Sequence, residues 1–150
     1  MALKSDRYEL QTDISFFYNA GVAERGVVVC HGATVGSGAA MDQGVNLATK
    51  STTGEPLGVL LNDVVNKDLT RTHLNQHKDE VQKGGKVTIL RKGYVVTDAI
   101  TGTPTVGDKA YRCTVTGGNF STVASGTLVG SFLSVKDEDG YAKVEVNLPN

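Results

Sequence analysis

The sequence contains no tryptophan, two cysteines and three prolines, and its only aromatic rings besides histidine are four Phe and five Tyr. With so few large rings, a core of ordinary size has to be filled by Val, Leu, Ile and Ala. The two thiols, Cys30 and Cys113, each fall in a predicted strand. Two cysteines in a chain that is not secreted favour buried, reduced side chains over a disulfide framework. No run approaches the ~18 consecutive apolar residues that cross a bilayer. The opening Met1-Ala2-Leu3-Lys4-Ser5-Asp6-Arg7 has no apolar stretch of signal-peptide length. The expectation is a soluble chain with no membrane partner. Charge of one sign is lacking too: 15 Lys and Arg face 16 Asp and Glu, for a formal net charge of -1 and a pI of about 6.3. The basic residues are scattered, whereas nucleic-acid binders gather them on one face to neutralise phosphates. A nucleic-acid partner is therefore not expected.

The recurrent catalytic patterns are missing as well. There is no Gly-x-Ser-x-Gly elbow, no Cys-x-x-Cys, no His-Glu-x-x-His and no complete phosphate loop. Gly36-Ser37-Gly38-Ala39-Ala40-Met41 lacks the third glycine and the following helix that a phosphate loop needs, and reads as a flexible connection. His73 and His77 stand four apart, a spacing that suits a metal on a helix, but no third ligand is placed nearby and solvated histidines are the better reading. Asp137, Asp139 and Gly140 lack the spaced acceptors and closing Glu of a calcium loop, and read instead as a turn with glycine at positive φ. Asp63, Asp98 and Asp108 lie near predicted strand ends, where acids ordinarily form turns. A trimeric all-β nucleotide hydrolase has a chain of this length, but its glycine and aspartate signatures do not occur in order. The expectation is a protein with no catalytic residues, no cofactor and no metal, and not an enzyme.

What is present is 18 glycines and many Thr and Val in short apolar runs, the pattern of strands joined by tight turns. At 150 residues the length suits one domain with a real core. The best-marked element follows the turn Thr53-Gly54-Glu55-Pro56. The run Leu57-Gly58-Val59-Leu60-Leu61-Asn62-Asp63-Val64 is apolar on both faces, the mark of a strand buried on two sides. Pro56 suits its first residue, and Gly58 marks a close backbone approach or a bulge. Further strands are expected over residues 26–31, 44–49, 86–96 (a strand pair or one bent strand, with Gly93 at the bend) and 106–115. A closing hairpin is expected with Ala142, Val144, Val146 and Leu148 on its inner face and Tyr141, Lys143, Glu145 and Asn147 on its outer face. Residues 97–105 read as a polar loop, and residues 66–83 as an exposed excursion with one or two helical turns or a loop.

Residues 1–25 stand apart as an N-terminal arm, and residues 26–150 form the domain. Within the arm, Tyr8, Phe16, Phe17 and Tyr18 hold four of the nine Phe and Tyr residues. Two readings are open: an edge strand packed on its own barrel, or an arm that docks on a partner by strand addition with aromatic anchors.

Several stretches, in order, resemble the head decoration, or capsid cement, proteins of tailed bacteriophages. They are Asp13-Ile14-Ser15-Phe16-Phe17, Pro56-Leu57-Gly58-Val59-Leu60-Leu61-Asn62-Asp63-Val64, Val106-Gly107-Asp108-Lys109-Ala110-Tyr111, Val129-Gly130-Ser131-Phe132-Leu133-Ser134 and Asp139-Gly140-Tyr141-Ala142-Lys143-Val144. The resemblance implies an all-β chain, a small β-barrel or β-sandwich with an extended N-terminal arm. It implies a structural virion protein on the outer capsid surface, assembled in the host cytoplasm, often as a homotrimer that bridges major capsid protein subunits. On that basis Tyr8, Ile14, Phe16, Phe17 and Tyr18 are the expected capsid-binding residues. The alternative is a surface module that binds host glycan or another virion component, with Tyr94, Tyr111 and Tyr141 as its body aromatics.

Overall fold

The computed structural model describes residues 3–18, 20–32, 47–66 and 80–148. The described chain is all-β, as expected, with twelve strands and no helix among the described residues. In chain order they are β1 (Tyr8–Tyr18), β2 (Val28–His31), β3 (Leu47–Thr49), β4 (Pro56–Leu60), β5 (Asp63–Val65), β6 (Glu80–Gln82), β7 (Lys86–Thr97), β8 (Ile100–Thr101), β9 (Lys109–Arg112), β10 (Phe120–Ser121), β11 (Leu128–Phe132) and β12 (Ala142–Asn147).

The strand order of the main sheet is β1-β3-β2-β4-β7-β12-β11-β9-β10-β8, and β1 also pairs with β7. The pairings β1-β3-β2-β4-β7 thus return to β1 and close a circuit of five strands, from which β12, β11, β9, β10 and β8 continue. β7 makes this possible by its length. One of its edges takes β4 at Ile89 and Leu90 and then β12 from Lys92 to Thr97. The other edge takes β1 from Lys86 to Tyr94.

Strands β2, β4 and β7 each feed two cores. Val28, Val59, Leu90 and Val95 pack with Phe120, Phe132, Val144 and Val146, whereas Val29, Leu57, Leu60, Val87 and Ile89 pack with Tyr18, Ala48 and Val64. That explains why the run after Pro56 is apolar at every position, and why every residue of β4 is buried. A Cβ on Gly58 would meet the Leu90 carbonyl oxygen and lie 2.6 Å from Ile89 Cγ2, so the glycine marks a close approach of β4 to β7. β12 serves only the first core, and its residues alternate as the sequence predicts, with Ala142, Val144 and Val146 buried.

Several elements differ from expectation. Of the two readings of residues 86–96, a strand pair gives way to one continuous strand over 86–97, which Gly93, at φ +143°, lets pass close to β1 without a break. Cys113 lies just past β9, not within it. The loop expected over 97–105 contains β8, because Ala99 and Ile100 are apolar and buried. In the last part of 66–83, β6 pairs in parallel with β5, Val81 opposite Val64. His73, His77 and the expected helical turns lie outside the described residues, as do the glycine-rich connection and the start of the strand expected from Gly44. At the chain's beginning Leu3 bridges Thr97 and joins the first core.

Candidate interaction surface

β1 is paired into the sheet, with β7 on one side along its length and β3 on the other at Phe17 and Tyr18. Its end is anchored by apolar burial. Tyr18 is 1% exposed and Phe17 8% exposed, so both are enclosed by the domain itself. Phe16 is half-buried against the second core, with its ring edge-on to His31 at 5.5 Å. The other expected contact residues point outward: Tyr8 is 54% exposed and Ile14 63%, and Leu10 between them is 65% exposed. Alternation groups Leu10 with Ile14, Phe16 and Tyr18 on one side of the strand, but Leu10 is not among the expected contact residues; the register shifts between Glu9 and Gln11, between Gln11 and Thr12, and between Asp13 and Phe16. Strict alternation therefore does not carry through the strand. The irregularity at Asp13 is closed locally, where its Oδ1 accepts from the Ser15 amide at 2.7 Å.

Tyr8 begins a row of outward side chains that crosses five strands, because Tyr94, Glu145, Ser131 and Lys109 stand opposite one another in register. The Tyr8 and Tyr94 rings stack with centroids 6.0 Å apart, and Lys143 Nζ lies 4.0 Å from the Tyr94 ring centre. Lys4 Nζ sits 4.5 Å over Tyr141. Such cation–π contacts contribute about 0.5–1 kcal/mol each at exposed sites. Burial and the nearby Asp98, Asp139 and Asp137 carboxylates raise the Tyr141 hydroxyl above its usual range.

Several other polar groups serve the fold. Asp63 Oδ1 accepts from the Arg25 amide at 2.8 Å, and Asp108 Oδ2 from the Thr105 amide at 2.9 Å. Asp137 Oδ1 accepts from the Asp139 and Tyr141 amides, with Gly140 at φ +85°, the turn the sequence predicts. The buried Arg112 guanidinium donates to the Thr52 and Cys113 carbonyls and ties the loop before β4 to β9. Both cysteines are buried and free. Burial pushes the Cys30 thiol up to about 11. Burial acts the same way on Cys113, but amide hydrogen bonds to its Sγ from Thr116 at 3.3 Å and Val115 at 3.4 Å outweigh it and lower the thiol below its usual range. His31 is lowered by burial and by the Arg91 guanidinium. No cluster of three or more His, Cys, Asp or Glu side chains that could hold a metal ion occurs among the described residues.

The surface on offer is thus a sheet face with an exposed apolar stripe on β1. Residues 6–147 match the family model described as structural cement protein (E217 gp24/Pam3 gp6), the phage cement family. The chain belongs to this family. The match runs from just before β1 through the last residue of β12, so it takes in the whole described sheet. It agrees with the resemblance carried by the sequence and gives this cement protein a structural, capsid-stabilising role in the virion. No curated protein matches the chain.

Proposed function

We propose that the protein binds the outer surface of a phage head and stabilises it, without catalysis, by bridging neighbouring major capsid protein subunits as a homotrimer. The observation that carries the contact assignment is the stripe Tyr8, Leu10 and Ile14, held outward on a strand fixed by the closed circuit of pairings. Phe16 flanks the stripe, and Phe17 and Tyr18 hold the strand in place from inside the domain. Among the described residues β1 has no second neighbouring strand from Tyr8 to Asp13, so its backbone there suits strand addition by an extended capsid segment. Fully buried, each apolar anchor contributes on the order of 1.5–3 kcal/mol before ordering costs. A trimer repeats that contact, and modest affinities combine by multivalency. A net charge of -1 suits an outer surface facing away from packaged DNA.

The test replaces Tyr8, Leu10 and Ile14 together by serine. Because the three side chains are exposed, the variant should fold as the parent does by circular dichroism yet fail to co-sediment with undecorated heads. Undiminished co-sedimentation would sink the assignment.

A further inference from the structure

Beyond β1, the outward row opens into two shallow grooves that meet at Glu145 and Asn147. The first, about 330 Å³, has Tyr8, Leu10, Tyr94 and Leu133 as its apolar wall and Lys92 at its side. The second, about 230 Å³, continues over β11 and β9 past Leu128, Ser131 and Lys109. Gly93 lines the first and Gly130 the second, so bare backbone lies in both. The side chains of Lys92, Glu145, Asn147, Ser131 and Lys109 have no hydrogen bond or ion pair with the rest of the described residues. Two neighbouring charged side chains are engaged instead: Arg7 pairs with Glu9 at 2.9 Å, and Lys143 covers Tyr94.

This combination has a specific chemistry. The exposed Tyr8 ring, stacked on Tyr94, offers a flat apolar face on which the C–H face of a sugar ring rests, while Lys143 covers Tyr94. Two ammonium groups, a carboxylate, an amide and a hydroxyl along the same trough supply the donors and acceptors that a row of sugar hydroxyls requires. A few uncommitted polar groups beside an aromatic wall are the usual make-up of a small-ligand site, and the first groove is at the small end of the range for such sites. The mixed charges do not suit a phosphate backbone, which calls for a basic stripe. We infer that the trough across β1, β7, β12, β11 and β9 is a binding site for a short segment of a linear oligosaccharide. Tyr8 stacks against the sugar at one end, and Glu145 and Asn147 hold its hydroxyls at the centre.

This site goes beyond the capsid contact proposed above and shares only the β1 end of the first groove with it. Glu145 and Asn147 belong to the trough alone, so they separate the two. The full-length chain, labelled with nitrogen-15, is titrated to millimolar levels with maltohexaose, cellohexaose, chitohexaose and trigalacturonate, the last separating an anionic from a neutral preference. At least one of these should give saturable amide shifts confined to Tyr94, Glu145, Asn147 and their neighbours. Asn147→Ala and Glu145→Gln should each weaken that binding about tenfold, the value of one hydrogen bond of roughly 1.4 kcal/mol. Both variants should keep dispersed spectra and co-sediment with heads as the parent does. No saturable shift with any of the four sugars would overturn the site. So would shifts that lie outside the trough, or binding unchanged in both variants.

Discussion

Substituting Gly93 by alanine tests how β1 is attached. The residue sits at φ +143°, in the region that L side chains rarely adopt, and costs about 1–2 kcal/mol there for any residue with a Cβ. The added methyl would also run into the Tyr8 carbonyl oxygen, with the Tyr8 carbonyl carbon at 3.0 Å and the Leu10 amide nitrogen at 3.3 Å. All three are backbone atoms of β1, and moving a packed backbone costs about a further 1–3 kcal/mol. The sum, about 2–5 kcal/mol, lowers the Tm of a chain this long by about 4–20 °C. Gly140→Ala is the matched control: its φ is +85°, but a Cβ there meets nothing within 4 Å, so only the first cost applies. Thermal melts followed by circular dichroism should show the larger drop for Gly93→Ala. Hydrogen exchange should show lost protection at the start of β1 in that variant alone. Equal drops, with β1 amides still protected, would refute the reasoning.

Two further predictions concern titrating groups. His31 is held below its usual range of about 6.5, so the unfolded chain binds the extra proton first and stability falls as pH drops through that value. His31→Gln should flatten the decline in chemical-denaturation midpoints on the acid side; an unaltered slope would contradict the assignment. The Cys30 thiol, at about 11 and buried, should resist Ellman's reagent in the folded chain at neutral pH. Cys113, with its lowered thiol, should be modified before it, and both should react at once in denaturant. Mass spectrometry of the labelled chain would contradict this if Cys30 were modified first.

Much of the fold was legible from residue patterns because several strands obey one simple rule each. β4 is apolar throughout because two cores press on it, and β12 alternates because only one does. Pro56 and Gly58 were readable from backbone constraints alone, and Gly140 from turn chemistry. β1 was harder. Its irregularities break the two-residue period, so Leu10 and Ile14 face outward while Tyr18, which alternation puts on their side, and Phe17, grouped with the contact aromatics by its type, fill the interior. β6 and β8 are too short to show a period, and β6 exists through its pairing with β5. The row Tyr8, Tyr94, Glu145, Ser131 and Lys109 was invisible in one dimension, since its members come from five strands and meet only through register.

The central claim is that this cement protein binds the head and strengthens it. Purified protein added to undecorated heads, with bound mass per particle measured at saturation and the heads then heated to rupture, tests it most directly. The account predicts saturable binding in multiples of three per site and rupture at a higher temperature than for bare heads. Heads that take up no protein, or that take it up and rupture at the same temperature, would contradict it.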